Sequence, residues 1–364
     1  MVTQSPPVTT QSAPLHDRYH VSVDEYITFR KQGFLVVPGL ISTDEVRDLR
    51  EHTELLMQGQ LPEQTGTSLN LGDHASGVAT QKLAAPPEHL SPEQKAEYFL
   101  RIHMLHRQLE LHERYLLHPR VLDVLEALIG PDLLALQTML FLKGPGKPGQ
   151  GWHQDSYYIP THPDSLCGAW IAIDDCDEQN GAMWFATGSQ HEPVYPPHAD
   201  AYGFGNHDLE GLTAVKGVSN PIDDENDLTR IANRYHHLLA PATAGDVVFF
   251  AGHVLHRSKQ NWSSNRFRRS FVGHYCNARA FTQWGGDDEV ETDPVTGSTN
   301  GHHILARGDT HLAFAQPRFG TWCAALMSPE ERKRASENAA MMMGDMDTGM
   351  MGATDADPTL VDDH

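Results

Sequence analysis

No stretch of this chain is apolar for long enough to cross a bilayer, and its N-terminus lacks the apolar core of a secretory signal. A soluble, cytoplasmic protein is therefore expected. Cysteine is scarce: Cys167, Cys176, Cys276 and Cys323 are widely spaced, with no C-x-x-C pair. Three of them fall in apolar or strand-like sequence, where a free buried thiol is the ordinary outcome. Positive charge is also in short supply, with 27 Lys and Arg against 48 Asp and Glu, a balance of −21 with histidine neutral. Nucleic acid and anionic membranes are bound by neutralising phosphate, so neither is expected as a partner. A small-molecule substrate fits better. No internal repeat is present.

What the chain does have is length enough for a substantial core, in 364 residues. Residues 1–19 are rich in Thr, Ser, Gln and Pro and are expected to be disordered. Capping boxes at Ser22/Glu25 and Ser42/Glu45 start two helices, with Phe34 to Val37 a short buried strand between them. Residues 60–90 have little periodicity and read as a long loop. Ser91-Pro92-Glu93-Gln94 opens a helix that keeps Tyr98, Ile102, Leu105, Leu109 and Leu116 near one face, with His103, His106 and His112 on its polar side. A shorter helix spans Val121 to Leu128. From Leu133 the pattern changes to short strands separated by Gly-rich turns, at 133–143, 150–158, 166–174, 182–187, 245–251 and 268–277. That spacing predicts a jelly-roll or cupin-like barrel. The segment 192–240, with a modest helix near 227–238, interrupts the strands and reads as a lid or substrate loop. A last helix starts at Ser328-Pro329, and 344–364 is an acidic, Met-rich tail expected to be disordered.

Histidine and acid at alternate positions are frequent. His153/Asp155, His162/Asp164 and His198/Asp200 all read H-x-D, and His52/Glu54 is a close variant. Pro163 removes a ladder donor from the second, and Tyr195-Pro196-Pro197 places the third in a loop. His52/Glu54 lies in a helix, where positions two apart diverge. Only His153/Asp155 adjoins strand-like sequence, and in a strand both side chains point to one face. A distant histidine would complete two imidazoles and one carboxylate, the facial set of non-haem Fe(II) oxygenases. By spacing alone, His253 and His256 both qualify.

His153-Gln154-Asp155, Asn180-Gly181-Ala182-Met183, Gly188-Ser189-Gln190-His191, Gly245-Asp246-Val247-Val248 and His256-x-Ser258 run in order, preceded by Gly33-Phe34-Leu35-Val36-Val37-Pro38-Gly39-Leu40. Together they resemble the phytanoyl-CoA dioxygenase family over about Tyr26 to Arg279. The resemblance implies a mainly β protein, a double-stranded β-helix with an N-terminal helical region. One oxygenase domain would span 20–335: helical over 20–130, β-helix core over 131–282 with its insertion at 192–240, and a C-terminal segment over 283–335. It also implies Fe(II), 2-oxoglutarate and O2, converted to succinate and CO2 as a metabolite is hydroxylated. His153, Asp155 and His256 become the expected metal ligands, because the family places its distal ligand in H-x-S. A carboxylate at Asp155 favours hydroxylation or desaturation over the halogenation of relatives that carry Gly or Ala there.

The distal carboxylate of 2-oxoglutarate calls for a planar two-pronged donor, which is arginine. Arg266, Arg268 and Arg269 compete. Arg268 shares strand parity with Ser270, Val272 and His274 and matches the family's Phe-Arg position, although the interval from His256 is one residue longer than the family's. Ser258, Gln137 and Trp170 are expected beside it in the cosubstrate pocket, and Tyr157, Tyr158 and Trp184 are the expected substrate contacts. Two other readings remain: a cupin-like metalloenzyme without 2-oxoglutarate, and a non-catalytic ligand-binding barrel. Arg268 and Ser258 speak against the first and an intact ligand set against the second.

Overall fold

Capping sets the first two helices. Ser22 and Ser42 each accept from the backbone N–H three residues on, while Glu25 and Glu45 reach back to the serine N–H groups. Helices α1 (Val23–Gln32) and α2 (Thr43–Met57) begin where these boxes put them. Gly33, at φ 83°, ends α1 and turns the chain into strand β1 (Phe34–Val37). A side chain at Gly33 would also meet Gln190 Oε1 at 2.6 Å, so both backbone and space call for glycine. The structure is a computed structural model, and it describes residues 18–58, 101–103, 105–107, 109–195, 228–280 and 303–310, with isolated positions 89, 282 and 316–317. Expectations for 1–17, most of 60–90, 196–227, Cys323, the Ser328 helix and the acidic tail fall outside these residues.

The single helix expected after Ser91 does not continue to Leu116. Arg101–His103 is instead a strand, β2, paired with β3 (Leu133–Lys143). A 3-10 turn (Leu105–Arg107) and helix α3 (Glu110–Leu116) follow. The apolar spacing fits a helix, yet a strand on β3 carries Ile102 and a 3-10 turn and helix cap carry Leu105 and Leu109, all three buried just as well. His106 and His112 are correspondingly not on a polar face; both are buried. Helix α4 (Pro119–Ile129) matches its expectation and carries proline at its first position.

The remaining elements are β4 (Gln150–His153), β5 (Cys167–Ala172), β6 (Met183–Thr187), a short helix α5 (Thr229–Ala232), β7 (His236–Ala240), β8 (Val247–Ala251), β9 (His256–Ser258), β10 (Arg268–Asn277), β11 (Ile304–Arg307) and β12 (Gln316–Pro317). One sheet runs β1-β8-β5-β10-β3-β11-β12 with β2 also on β3, and the other runs β4-β9-β6-β7. All described pairings are antiparallel except β11 with β12. Two expectations need correction. The strand over 150–158 stops at His153, and Asp155–Tyr157 is a 3-10 turn closed by Tyr158 and Ile159 N–H groups donating to the Asp155 carbonyl. The helix near 227–238 shrinks to α5, because 236–240 pairs with β6 as a strand; the insertion is therefore shorter than 192–240.

Alternation sorts the large sheet's two faces. Leu35, Val37, Leu140, Leu142, Ala169, Ile171, Val247, Phe249, Phe271 and Tyr275 join the core under the helices. Phe34, Trp170, Ala172, Val248, Phe250 and Val272 face the small sheet and meet Met183 and Phe185. Phe34 stacks on Phe185 at 4.2 Å between ring centroids. Fully burying each such side chain contributes about 1.5–3 kcal/mol, so the facing surfaces hold the two sheets together. Cys167, Cys176 and Cys276 are free and buried, as expected.

His112 adds a pH dependence to this core. It is 0% exposed, touches Phe271 and His52, and neither ring nitrogen has a hydrogen-bond partner among the described residues. Burial, then the nearby His52 and His106, lower it to about 3. The folded state thus keeps His112 neutral where the unfolded chain, with a pKa of about 6.5, takes up a proton. Stability is complete above that value and is lost as pH falls towards 3. The slope approaches about 1.4 kcal/mol per pH unit, or about 2 kcal/mol by pH 5. Urea melts of the wild type and His112→Phe should show that component in the wild type and its absence in the variant; parallel curves would refute it.

Candidate metal centre

His153 ends β4 and His256 begins β9, and these strands pair with the two histidines opposite each other. Their imidazole centroids lie 4.1 Å apart. Gln154 stays extended (φ −121°, ψ 130°), so Asp155 still emerges on the side of His153 although the strand has ended. Asp155 Oδ1 is 3.6 Å from Nε2 of both histidines. One ligand atom from each residue lies within 4.8 Å of the others, the set a metal ion needs.

The hydrogen bonds around the three point the ligands inward. His153 Nδ1 is 2.8 Å from the Gly151 carbonyl and His256 Nδ1 is 3.0 Å from the Val254 carbonyl. A carbonyl only accepts, so each Nδ1 carries a proton and Nε2 is the nitrogen each ring turns towards Asp155. His274, on β10, donates from Nε2 to Asp155 Oδ2 at 2.8 Å, while its Nδ1 is 2.9 Å from Gln137 Nε2. One Asp155 oxygen is thereby engaged and the other faces the histidines. Burial pushes the Asp155 carboxyl up, but the charge of His256, the His274 hydrogen bond and His153 outweigh it and hold Asp155 well below the usual carboxylate range. The donor set is two imidazoles and one carboxylate, which suits a ferrous ion.

The surrounding motifs hold these segments in place. Ser189 Oγ accepts from Leu255 N at 2.8 Å and donates to the Ala186 carbonyl, fixing the residue before His256. Gln154 is fully buried; it donates to the His253 and Pro193 carbonyls and accepts from Tyr195 N. His253 itself turns away, with Nδ1 at the Glu192 carbonyl and Nε2 3.4 Å from Asp164. Of the two distal candidates, only His256 enters the cluster. Asn180 bonds the Asp175 and Phe267 carbonyls and so ties the turn before β6 to the start of β10.

Further along the same face of β10 lies Arg268, 3% exposed, with Nη1 3.3 Å from Ser270 Oγ and Nη2 3.5 Å from Ser258 Oγ. Its guanidinium is 5.7 Å from the ring centroids of Trp170 and Phe141. No ion pair accompanies it among the described residues, Nε has no hydrogen-bond partner there, and burial pulls its pKa down to about 10. A buried cation in that state calls for an anion. Its competitors are already paired: Arg266 with Asp177, and Arg269 with Asp174 and Glu54.

Sequence reasoning missed two residues here. His274 was legible only as sharing the parity of Arg268, and its contact with Asp155 spans 119 positions. Lys143 closes the strand expected over 133–143, where sequence assigns it no role, yet it is buried and donates to Ser258 Oγ at 2.8 Å. Gln137 Nε2 is 2.9 Å from His274 Nδ1. Tyr157 and Tyr158 are half-buried, and the Tyr158 ring is 6.4 Å from that of His153. Trp184 is not brought to the cluster: it alternates with Phe185, which stacks near His256, and packs with Trp152 and Leu228 on the opposite face.

Comparison with known proteins agrees with this architecture. A family model described as Phytanoyl-CoA dioxygenase (PhyH) matches residues 29–270. Phytanoyl-CoA dioxygenase domain-containing protein 1 of Danio rerio is 26% identical over 287 residues, covering 72% of this chain and 92% of its own. Among solved structures, a non-haem monooxygenase, ThoJ in its apo form, aligns with a TM-score of 0.51 at 19% identity, over 88% of this chain and 100% of that one. EctD from S. alaskensis, crystallised with 2-oxoglutarate and 5-hydroxyectoine, aligns with a TM-score of 0.50 at 18% identity, over 74% and 80%. Both share the fold.

Proposed function

The chain belongs to the phytanoyl-CoA dioxygenase family and is an Fe(II)/2-oxoglutarate-dependent oxygenase, and we propose that it hydroxylates a small-molecule metabolite. One C–H bond becomes C–OH while 2-oxoglutarate and O2 give succinate and CO2. In this reading His153, Asp155 and His256 hold the iron, on a double-stranded β-helix within a domain over 20–335. Iron bound there supplies the one-electron chemistry by which O2 is activated with the oxoacid. Arg268 and Ser258 take the distal carboxylate of 2-oxoglutarate, with Trp170 beside them, and Tyr157 and Tyr158 line the approach of the substrate.

The observation that carries the reading is Arg268: a buried guanidinium, without an ion pair among the described residues, on the inner face that also presents His274 to Asp155. A metalloenzyme of this architecture that used no oxoacid would have no need of it. The protein's other contributions follow from its side chains. Carbonyl-bonded Nδ1 groups fix the bearing of both imidazoles, the His274 hydrogen bond restrains Asp155, and Phe185 and Phe250 exclude water behind His256. Anaerobic addition of Fe(II) and then 2-oxoglutarate should produce a weak visible charge-transfer band that saturates at one equivalent of each. Iron binding without such a band would remove 2-oxoglutarate from the reading.

A further inference from the structure

Directly across the ladder from Arg268 stands a second buried cation. Strands β3 and β10 pair Lys143 with Arg268, and opposite residues in an antiparallel pair point to the same face. Each is 3% exposed. Like charges set opposite one another are unfavourable even on a surface, and more so in a low-dielectric interior. An acceptor between them compensates part of that repulsion.

Ser258 is the protein's part of that compensation. Its Oγ accepts from Lys143 Nζ at 2.8 Å and lies 3.5 Å from Arg268 Nη2. A hydroxyl has two lone pairs and one proton. With its lone pairs turned to the two cations, Ser258 must aim its O–H away from both, and among the described residues it donates to no acceptor. The lysine is itself held on a fixed bearing. Nζ also donates to the Lys259 carbonyl at 2.9 Å. Gly181, at φ 88°, packs against it so closely that a Cβ there would stand 3.2 Å from Nζ and 2.7 Å from that carbonyl.

We propose that Lys143 is a positioning and specificity residue for the cosubstrate, acting through Ser258. By holding the serine as acceptor it presents the Oγ–H to the distal carboxylate of a dicarboxylic 2-oxoacid, alongside the Arg268 fork. The second positive charge makes that end of the pocket selective for a carboxylate, so monoacids such as pyruvate are discriminated against. This rests on the 2-oxoglutarate reading above. The competing role is purely structural, a lysine that caps the Lys259 carbonyl.

The test uses the full chain loaded anaerobically with Fe(II), titrated with 2-oxoglutarate and separately with pyruvate, reading the visible band and the melting temperature. Lys143→Met should weaken 2-oxoglutarate binding by about tenfold or more, as loss of a charge-assisted hydrogen bond implies, while pyruvate binding stays within about twofold. Lys143→Arg should recover part of the loss. In Ser258→Ala the Lys143→Met effect should largely disappear, because the lysine acts through that hydroxyl. Equal weakening of both oxoacids, or unchanged 2-oxoglutarate binding with a lowered melting temperature, would leave Lys143 as a cap and overturn the proposal. Should Lys143→Met fail to fold, Lys143→Gln, which keeps a donor but no charge, is judged by the same two titrations. A wild type that binds no 2-oxoglutarate would instead bring down the parent reading, and the two failures are thus distinct.

Discussion

His256→Ala should lose iron and turnover together, while His253→Ala keeps both. His256 offers Nε2 to the cluster with its Nδ1–H held by the Val254 carbonyl, whereas both nitrogens of His253 are engaged elsewhere, at Glu192 and Asp164. Removing one of three ligands leaves two, too few to hold a ferrous ion in the face-open arrangement that oxygen chemistry needs. A fall in turnover on the order of 1,000-fold or more is expected, with bound iron dropping from one equivalent to near none. His153→Ala and Asp155→Ala should behave alike. His274→Ala is graded: it frees Asp155 Oδ2 without removing a ligand, and outer-shell losses of this kind cost about 10- to 100-fold in metal affinity. Iron content by colorimetric assay, beside a far-ultraviolet spectrum to establish folding, separates these cases. Full iron retention in His256→Ala with loss in His253→Ala would reverse the assignment.

That ladder of effects also marks what could be read from sequence. Parity along β10 is local, so Arg268, Ser270, Val272 and His274 were legible as one face before any fold was known. The convergence of His153 and Asp155 was legible too, for a reason that needed amendment: Asp155 sits in a turn, but Gln154 remains extended and preserves the alternation. What stayed hidden was non-local. β10 lies between β3 and β5, so the contacts of His274 with Asp155 and of Lys143 with Ser258 join positions more than a hundred residues apart. Sequence periodicity holds no term for such pairs. The misread elements have a different cause. Ile102, Leu105 and Leu109 carry helical spacing, but the backbone at 101–103 is claimed by β3, and His236–Ala240 is too short to outweigh the helix signals beside it. Trp184 was assigned to the substrate as an aromatic near the motifs; one step of strand alternation sends it to the other face.

Arg268 is where function and stability should pull in opposite directions, and the two are separable by experiment. In the protein alone its guanidinium is buried, its pKa is drawn down to about 10, and Nε finds no partner among the described residues. Such a charge costs folding free energy until an anion arrives. Arg268→Met, which fills much the same volume, should therefore leave the protein free of 2-oxoglutarate as stable as the wild type or more so. The same substitution removes a bidentate charge-assisted contact to the distal carboxylate, worth about 3 kcal/mol, so 2-oxoglutarate binding should weaken by about 100-fold or more. Arg268→Lys should restore only part of this, because a point charge cannot reproduce the planar fork. Melting curves with and without saturating 2-oxoglutarate read both effects at once: the ligand should raise the melting temperature of the wild type strongly, of Arg268→Lys weakly, and of Arg268→Met hardly at all. If instead the ligand-free Arg268→Met protein melts several degrees lower and still responds to 2-oxoglutarate, Arg268 is structural. The cosubstrate would then have to be held by Arg266 or Arg269, at the expense of their ion pairs with Asp177 and with Asp174 and Glu54.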